Sequence, residues 1–171
     1  MEVYSEMKSS GIFLKNEVFW ETVLEWFDDL ASNRGNRAEL RRAKTPFEVY
    51  VSSAFQRDFR QRLRQKGILL SEEEAERLAP GIGVLAHAKN LLQEGHFAKQ
   101  LATTDKGSQE VRDVRFRKLL AVEKRDELFT MLVRLTKYLD SKVDPKSLIQ
   151  GAFWWNDTTR KNWAATYYTP A

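Results

Sequence analysis

The chain has 171 residues, of which 42% are hydrophobic and 30% are charged, and this composition is typical of a folded globular protein. It contains no cysteine, which excludes disulfide bridges, thiolate catalysis and cysteine zinc sites and favours a reducing cytoplasm. The formal net charge is +4, but residues 1–33 are acidic and residues 34–66 are strongly basic. Charge that is sorted in this way along the chain predicts a cationic face and an anionic partner.

The N-terminal stretch "MEVYSEMKSSG" has no apolar signal core, and no apolar run approaches the roughly 20 residues that cross a bilayer. We therefore expect a cytoplasmic protein with no membrane partner and with a flexible N-terminal tail over residues 1–15. The first helix follows, with Asn16 as its candidate cap. Its apolar stripe has spacings of four, three and four residues and consists of Phe19, Val23, Trp26 and Leu30.

The next two helices carry most of the early basic residues. A short helix is predicted for "NRAELRRAK". Thr45 and Pro46 then have the pattern of an N-cap and a first helical residue, and they predict a third helix that ends near Gly67. Its buried face is expected to consist of Val51, Phe55, Phe59 and Leu63.

An acidic helix, "LSEEEAERLA", begins with the capping-box pair Ser71 and Glu74, and Pro80-Gly81 is expected to interrupt it. An apolar helix is predicted to continue as far as Gly95.

The polar stretch "ATTDKGSQE" is the best candidate linker. Beyond it, the pattern predicts helices over "VRDVRFRKLLA", "KRDELFTMLVRLTKYLDS", the segment from Asp144 to "GAFWW", and "TTRKNWAATYY". The expected fold class is all-α: two small helical bundles, over residues 16–96 and 108–171, joined by a short linker and elongated overall. A single elongated bundle is the alternative.

Three groups of basic residues form the candidate nucleic-acid-binding surface. Most of the first group falls within about 80° on the second helix, and the second group forms an outward ridge opposite the apolar stripe of the third. Arginine predominates, and its guanidinium fork matches phosphate oxygens. The alternative is a solvated face with internal salt bridges. The groups are Arg34, Arg37, Arg41, Arg42 and Lys44; Arg57, Arg60 and Arg64; and Arg115, Arg117, Lys118, Lys124 and Arg125.

The sequence gives little support for a metal site, a cofactor site or a catalytic site. His87 and His96 lack the further ligands that a zinc site needs, and the glutamates after Ser71 match the dipole of a helix start. No P-loop, dinucleotide fingerprint or nucleophile elbow is present, so we predict no cofactor, metal site or catalytic residue. The C-terminal aromatics are expected to be core residues rather than a base-stacking platform; they are Trp154, Trp155, Trp163, Tyr167 and Tyr168.

Three stretches together resemble the CasB family, the small subunit of the type I-E CRISPR surveillance complex Cascade: "RGNRAELRRAKTP", "VRFRKLLAVEKRDELFTMLVRLTKYL" and "GAFWWNDTTRKNWAATYY". The resemblance implies a non-catalytic all-α protein with two bundles. It also implies a basic surface that stabilises the R-loop by holding the displaced strand and the guide–target hybrid. The implied partners are the backbone and large subunits of Cascade, a second copy of the chain, CRISPR RNA and target DNA.

The resemblance carries over to a few residues. Arg41 and Arg42 match an LRR motif in which the family places a nucleic-acid-facing arginine, and Arg42 is favoured. Arg115 matches a basic position before "LL", Arg134 a basic position in the long helix, and Arg160 the basic segment after the double tryptophan.

Two other functions stay open. The second and third helices could form a helix-turn-helix in a free-standing DNA-binding regulator, although phosphate-seeking arginines dominate the candidate recognition helix. Alternatively, the arginines could bind an acidic protein, which would make the chain a helical adaptor.

Overall fold

The computed structural model describes residues 11–140 and 142–170, and most of these residues are helical. The α-helices are α1 Glu17–Leu30, α2 Arg34–Arg42, α3 Pro46–Tyr50, α4 Arg60–Gln65, α5 Glu72–Leu85, α6 Phe97–Thr103, α7 Gln109–Leu120, α8 Arg125–Leu139, α9 Pro145–Phe153 and α10 Asp157–Tyr168. A 3₁₀ turn, Ile12–Lys15, precedes α1, and a π-helical segment, Ala54–Phe59, leads into α4. The prediction of an all-α fold is confirmed.

The predicted helix starts rest on side-chain caps. Asn16 Oδ1 accepts a hydrogen bond from the backbone N–H of Val18 at 2.8 Å, and Thr45 Oγ1 accepts from Glu48 at 3.1 Å. Ser71 and Glu74 form the complete capping box at the start of α5. These bonds satisfy N–H groups that the first turn of a helix leaves without partners, so local sequence determines these boundaries.

Helix α5 lies in the middle of the core and packs against α3, α8 and α9. Two of its glycines permit this close approach. A Cβ atom on Gly83 would lie 2.5 Å from Val49 Cγ2, and one on Gly81 would lie 3.1 Å from the Cα of Ile149. Helices from both predicted bundles therefore contribute to one hydrophobic cluster. The division of the chain into two bundles stays a prediction.

Pro80 does not interrupt α5, contrary to the prediction, because the helix runs on to Leu85. A proline has no N–H to donate to the carbonyl four residues earlier, which here belongs to Glu76. That carbonyl instead accepts a hydrogen bond from Arg125 Nη2 at 3.3 Å. A tertiary contact thus supplies the partner that the proline removes.

The predicted helix up to Gly95 is also wrong. After α5 the chain turns and forms a two-residue strand, β1 (Asn90–Leu91), which pairs in parallel with β2 (Lys142–Val143). This short pairing joins the end of α5 to the segment after α8. None of the helices in the described residues combines the length and the apolar character needed to span a membrane.

Two local predictions need correction. Val51 was expected on the buried face of the third helix but is exposed, since it lies in the break between α3 and the π-helical segment. Residues 1–10 of the predicted tail lie outside the described residues. Its last five residues instead belong to the fold, because Phe13 and Leu14 are buried in the core.

Candidate nucleic-acid interface

Arg60 does not face outward as predicted. It is 5% exposed, and its Nη2 donates to Glu72 Oε1 at 2.8 Å and to the carbonyl of Leu70 at 3.3 Å. The π-helical segment before it changes the angle between successive side chains, so angles calculated for a continuous α-helix do not hold there. Arg60 therefore ties α4 to the start of α5.

Arg62, on the same helix, is surrounded by carboxylates. Its guanidinium lies 2.7 Å from Asp58 Oδ1, 2.7 Å from Asp29 Oδ2 and 3.7 Å from Glu25 Oε1. These ion pairs connect α4 to the acidic helix α1. Of the predicted ridge, Arg57 and Arg64 remain exposed.

The basic residues of α2 are more accessible. Arg34, Arg42 and Lys44 are exposed, and Arg37 is half-buried. Arg41 is also exposed, and its Nε donates to the backbone carbonyl of Ala86 at 2.7 Å. This bond holds the Arg41 guanidinium over the turn that follows α5.

A cavity of about 300 Å³ lies beside Arg41, where α2, the turn after α5 and the end of α8 meet. We call it the Thr136 cavity. Its lining consists of Arg41, His87, Lys89, Thr136, Lys137 and Asp140. Three of these side chains are cationic at neutral pH and one is anionic, and Asp140 Oδ1 lies 2.7 Å from Lys89 Nζ.

Two further cations flank Tyr138, which lies next to this cavity on α8. The guanidinium carbon of Arg115 lies 3.9 Å from the centre of the Tyr138 ring. Lys106 Nζ donates to the Tyr138 carbonyl at 2.5 Å, and the Tyr138 hydroxyl donates to the Lys106 carbonyl at 2.7 Å. Cations from five separate segments, α8 included, thus lie around the last turn of α8. We call them the α8 C-terminal cluster: Arg41, Lys89, Lys106, Arg115 and Lys137.

The pKa values in this region reflect burial first and nearby positive charge second. Burial, together with Lys137 and Arg41, lowers the pKa of His87 to about 4, so the ring is neutral at pH 7. Burial and the neighbouring Arg37 lower the pKa of Arg41, which stays protonated. The hydrogen bond from Lys89 lowers the pKa of Asp140, with a smaller contribution from Lys106. The end of α8 is also where the helix dipole favours cations.

The remaining predicted residues fall into two sets. Arg117, Lys118 and Arg134 are exposed on α7 and α8. Arg125 and Arg160 donate hydrogen bonds to backbone carbonyls. Arg125 donates to the Glu76 carbonyl in α5, and Arg160 Nη2 donates to the Val122 carbonyl at 2.8 Å. The first set is available to a ligand, and the second contributes to the fold.

The C-terminal aromatics are mostly core residues, as predicted. Trp163 and Tyr167 are buried, and the Trp155 indole donates to the Val122 carbonyl at 2.8 Å. Tyr168 is 53% exposed. The described residues contain no group of three or more potential metal ligands.

The prediction from sequence missed the lysines of the α8 C-terminal cluster and the polar residues of the Thr136 cavity. Lys89 and Lys137 have uncharged immediate neighbours, and Lys106 follows the acidic Asp105, so no local run of positive charge marks these lysines. The bonds between Lys106 and Tyr138, the β1–β2 pairing and the packing of α2 on the turn after α5 bring the cluster together.

The described fold and surface define an all-helical protein with clustered cationic side chains. A family model described as CRISPR-associated protein Cse2 matches residues 36–168. The chain belongs to this family, also called CasB, whose members are subunits of the CRISPR complex Cascade.

The fold is similar to the crystal structure of CasB from Thermus thermophilus, with a TM-score of 0.65. The two sequences are 20% identical, and the match covers 86% of this chain and 96% of that chain. The comparison with curated proteins gave no match.

Proposed function

We propose that the chain stabilises the R-loop of its CRISPR interference complex without catalysing a reaction. Its basic surface binds the backbone of the displaced strand and of the guide–target hybrid, independently of sequence. A displaced strand presents a phosphate at every nucleotide and no fixed sequence, so clustered cations without base-reading groups suit its capture.

The observation that carries this proposal is the α8 C-terminal cluster. Its five cations come from segments far apart in the sequence. The Thr136 cavity beside them is lined by three of these cations and by one carboxylate, Asp140. Arg60 and Arg62 of α4 are neutralised by nearby acids, whereas this cluster keeps a net positive charge. The exposed Arg42, Arg117, Lys118 and Arg134 extend the same kind of surface along α2, α7 and α8.

The proposed partners are CRISPR RNA, target DNA, the backbone and large subunits, and a second copy of the chain. Exposed apolar side chains can contribute to protein contacts where they lie together, as Phe47 and Val51 do beside Pro46, because contiguous apolar patches often mark interaction sites. The most exposed of them are Ile12, Phe47, Val51 and Leu69.

Fluorescence anisotropy tests the proposal. The full chain is titrated with single-stranded and duplex DNA of two unrelated sequences over a salt series. We expect weak binding, equal for both sequences, that falls steeply with salt. Replacing Lys89, Lys106 and Lys137 together by glutamine should flatten the slope of log K against log salt by about two units on single strands, since each lost phosphate contact contributes about 0.7.

The matched control replaces three ion-paired or exposed basic residues of α4 and its C-cap by glutamine: Arg62, Arg64 and Lys66. It removes the same number of charges and should change the slope less. Strong preference for one duplex sequence would instead support a DNA-binding regulator. Salt-insensitive capture of an acidic protein without DNA binding would support an adaptor.

A further inference from the structure

The Thr136 cavity contains polar groups that the fold leaves without partners. Thr136 is 2% exposed, yet its Oγ1 has no hydrogen-bond partner among the described residues. The same is true of His87 Nε2, which is also buried. Burying a polar atom without a partner destabilises a protein, so two such atoms in one cavity indicate that a ligand supplies the missing bonds.

The chemistry of the lining identifies the class of ligand. Arg41, Lys89 and Lys137 provide charged donors, and the hydroxyl of Thr136 provides a neutral one. The imidazole of His87 is neutral at pH 7 and donates from Nε2 when that nitrogen carries the proton. A pocket that combines these donors requires an anion with several acceptor oxygens.

The origin of the donors in three separate elements favours a tetrahedral group over a planar one. Arg41 comes from α2, His87 and Lys89 from the turn after α5, and Thr136 and Lys137 from α8. Donors on three sides suit the oxygens of a phosphate, whereas a carboxylate presents two oxygens in one plane. The bond from Arg41 Nε to the Ala86 carbonyl fixes the guanidinium without using its terminal nitrogens.

We propose that the Thr136 cavity is a phosphate subsite that holds one phosphodiester of a nucleic-acid backbone. The assignment rests on the proposed function, because that function supplies the phosphodiester. The subsite gives the otherwise diffuse cationic surface one fixed point of attachment. Asp140 opposes the ligand's charge and limits its affinity, so the strand can be released.

Histidine NMR of the full chain tests the subsite. The sequence contains two histidines, and His96 lies outside the cavity, where its Nδ1 caps α6, so it serves as an internal control. The ¹⁵N-labelled protein is titrated with a ten-nucleotide deoxythymidine strand while anisotropy reports binding of the same strand. We expect the His87 ring signals to shift with the same saturation curve as the anisotropy, and the His96 signals to stay in place.

Three variants of α8 make the test specific. Thr136→Val removes the hydroxyl and keeps the shape, and it should weaken the binding seen at His87 about fivefold. Thr136→Ser keeps the hydroxyl and should restore most of that binding. Thr130→Val, the matched control, changes a threonine on the same helix that is exposed and already bonded to the Asp126 carbonyl. It should leave the binding unchanged.

The outcomes separate the subsite from the proposed function. If anisotropy shows that the strand binds while His87 does not shift, the subsite is overturned and the proposed function stands. If the strand does not bind at all, both are overturned. If inorganic phosphate shifts His87 and the strand does not, the site holds free phosphate and the backbone assignment is wrong. If a polyaspartate peptide shifts His87 as strongly as the strand, the site recognises negative charge on a protein.

Discussion

Two cationic regions of this protein have similar composition and opposite surroundings. In the first, Arg60 and Arg62 of α4 are bonded to Glu72, Asp58 and Asp29, and the guanidinium groups connect α4 to α5 and α1. In the second, the α8 C-terminal cluster surrounds a cavity with buried polar atoms that have no partner among the described residues. Basic side chains therefore indicate a binding surface only where the fold does not neutralise them.

The largest expected effect concerns the first region. Arg60→Ala removes a buried side chain whose three methylenes pack in the core and whose guanidinium satisfies the Leu70 carbonyl. We expect the free energy of unfolding to fall by roughly 3 kcal/mol, measured by urea denaturation. Arg57→Ala, an exposed neighbour with the same charge, should change it by about 0.5 kcal/mol or less. Equal losses in the two variants would show that Arg60 has no structural role.

The next effect concerns the second region, where the free energy of unfolding should depend on pH through His87. The pKa of His87 is about 4 in the folded chain and near 6.5 when the chain is unfolded. The unfolded state thus binds more protons between these values, so this contribution to stability is complete above pH 6.5 and is lost as the pH falls towards 4. Allowing for solvent screening of the partly exposed ring, we expect the free energy of unfolding to fall by about 2 kcal/mol over this range.

Urea denaturation at pH 7 and at pH 4.5 measures this loss, and His87→Gln should abolish that part of the difference. His96→Asn measures the other histidine separately: burial lowers the pKa of His96 as well, asparagine still caps α6, and the substitution leaves the Thr136 cavity intact. If wild type and His87→Gln lose the same stability on acidification, His87 does not titrate as described.

A smaller effect compares two adjacent arginines of α2. Arg41 lines the Thr136 cavity, whereas Arg42 is exposed outside it. Arg41→Gln should weaken binding of single-stranded DNA about tenfold, and Arg42→Gln about threefold, because a fixed guanidinium forms a stronger phosphate contact than a mobile one. Glutamine can still donate to the Ala86 carbonyl. Anisotropy at constant salt measures the affinity of both variants. A larger loss of affinity in Arg42→Gln than in Arg41→Gln would contradict this prediction and favour Arg42, the residue chosen from the sequence.

The smallest expected effect is a gain in the free energy of unfolding. Thr136→Val removes a buried hydroxyl that has no partner among the described residues, so the free energy of unfolding should rise by about 1 kcal/mol while DNA binding weakens. Thr22 provides the matched control, since it is equally buried but donates to the Val18 carbonyl at 2.7 Å. Thr22→Val should give no such gain. A loss of stability in Thr136→Val would mean that the hydroxyl is satisfied in the free protein.

Local signals in the sequence predicted most helix starts correctly. Asn16, Thr45, Ser71 and Asp144 each cap the helix that was expected after them, because capping depends on a few consecutive residues. The apolar stripe of α1 was also predicted correctly, since Phe19, Val23, Trp26 and Leu30 are all buried. Local signals failed at Pro80, where a distant arginine satisfies the carbonyl, and at Arg60, where a π-helical segment rotates the side chain.

The sequence by itself determined the all-α class, the caps, the core stripes and the excess of basic residues that pointed to an anionic polymer. Periodicity and capping are properties of neighbouring residues, so a single sequence contains them. The tertiary structure decided which cations are neutralised and which meet around the Thr136 cavity. Lys89, Lys137 and Arg41 are brought together by a parallel strand pair and by helix packing, and no local pattern in the chain encodes contacts between such distant residues.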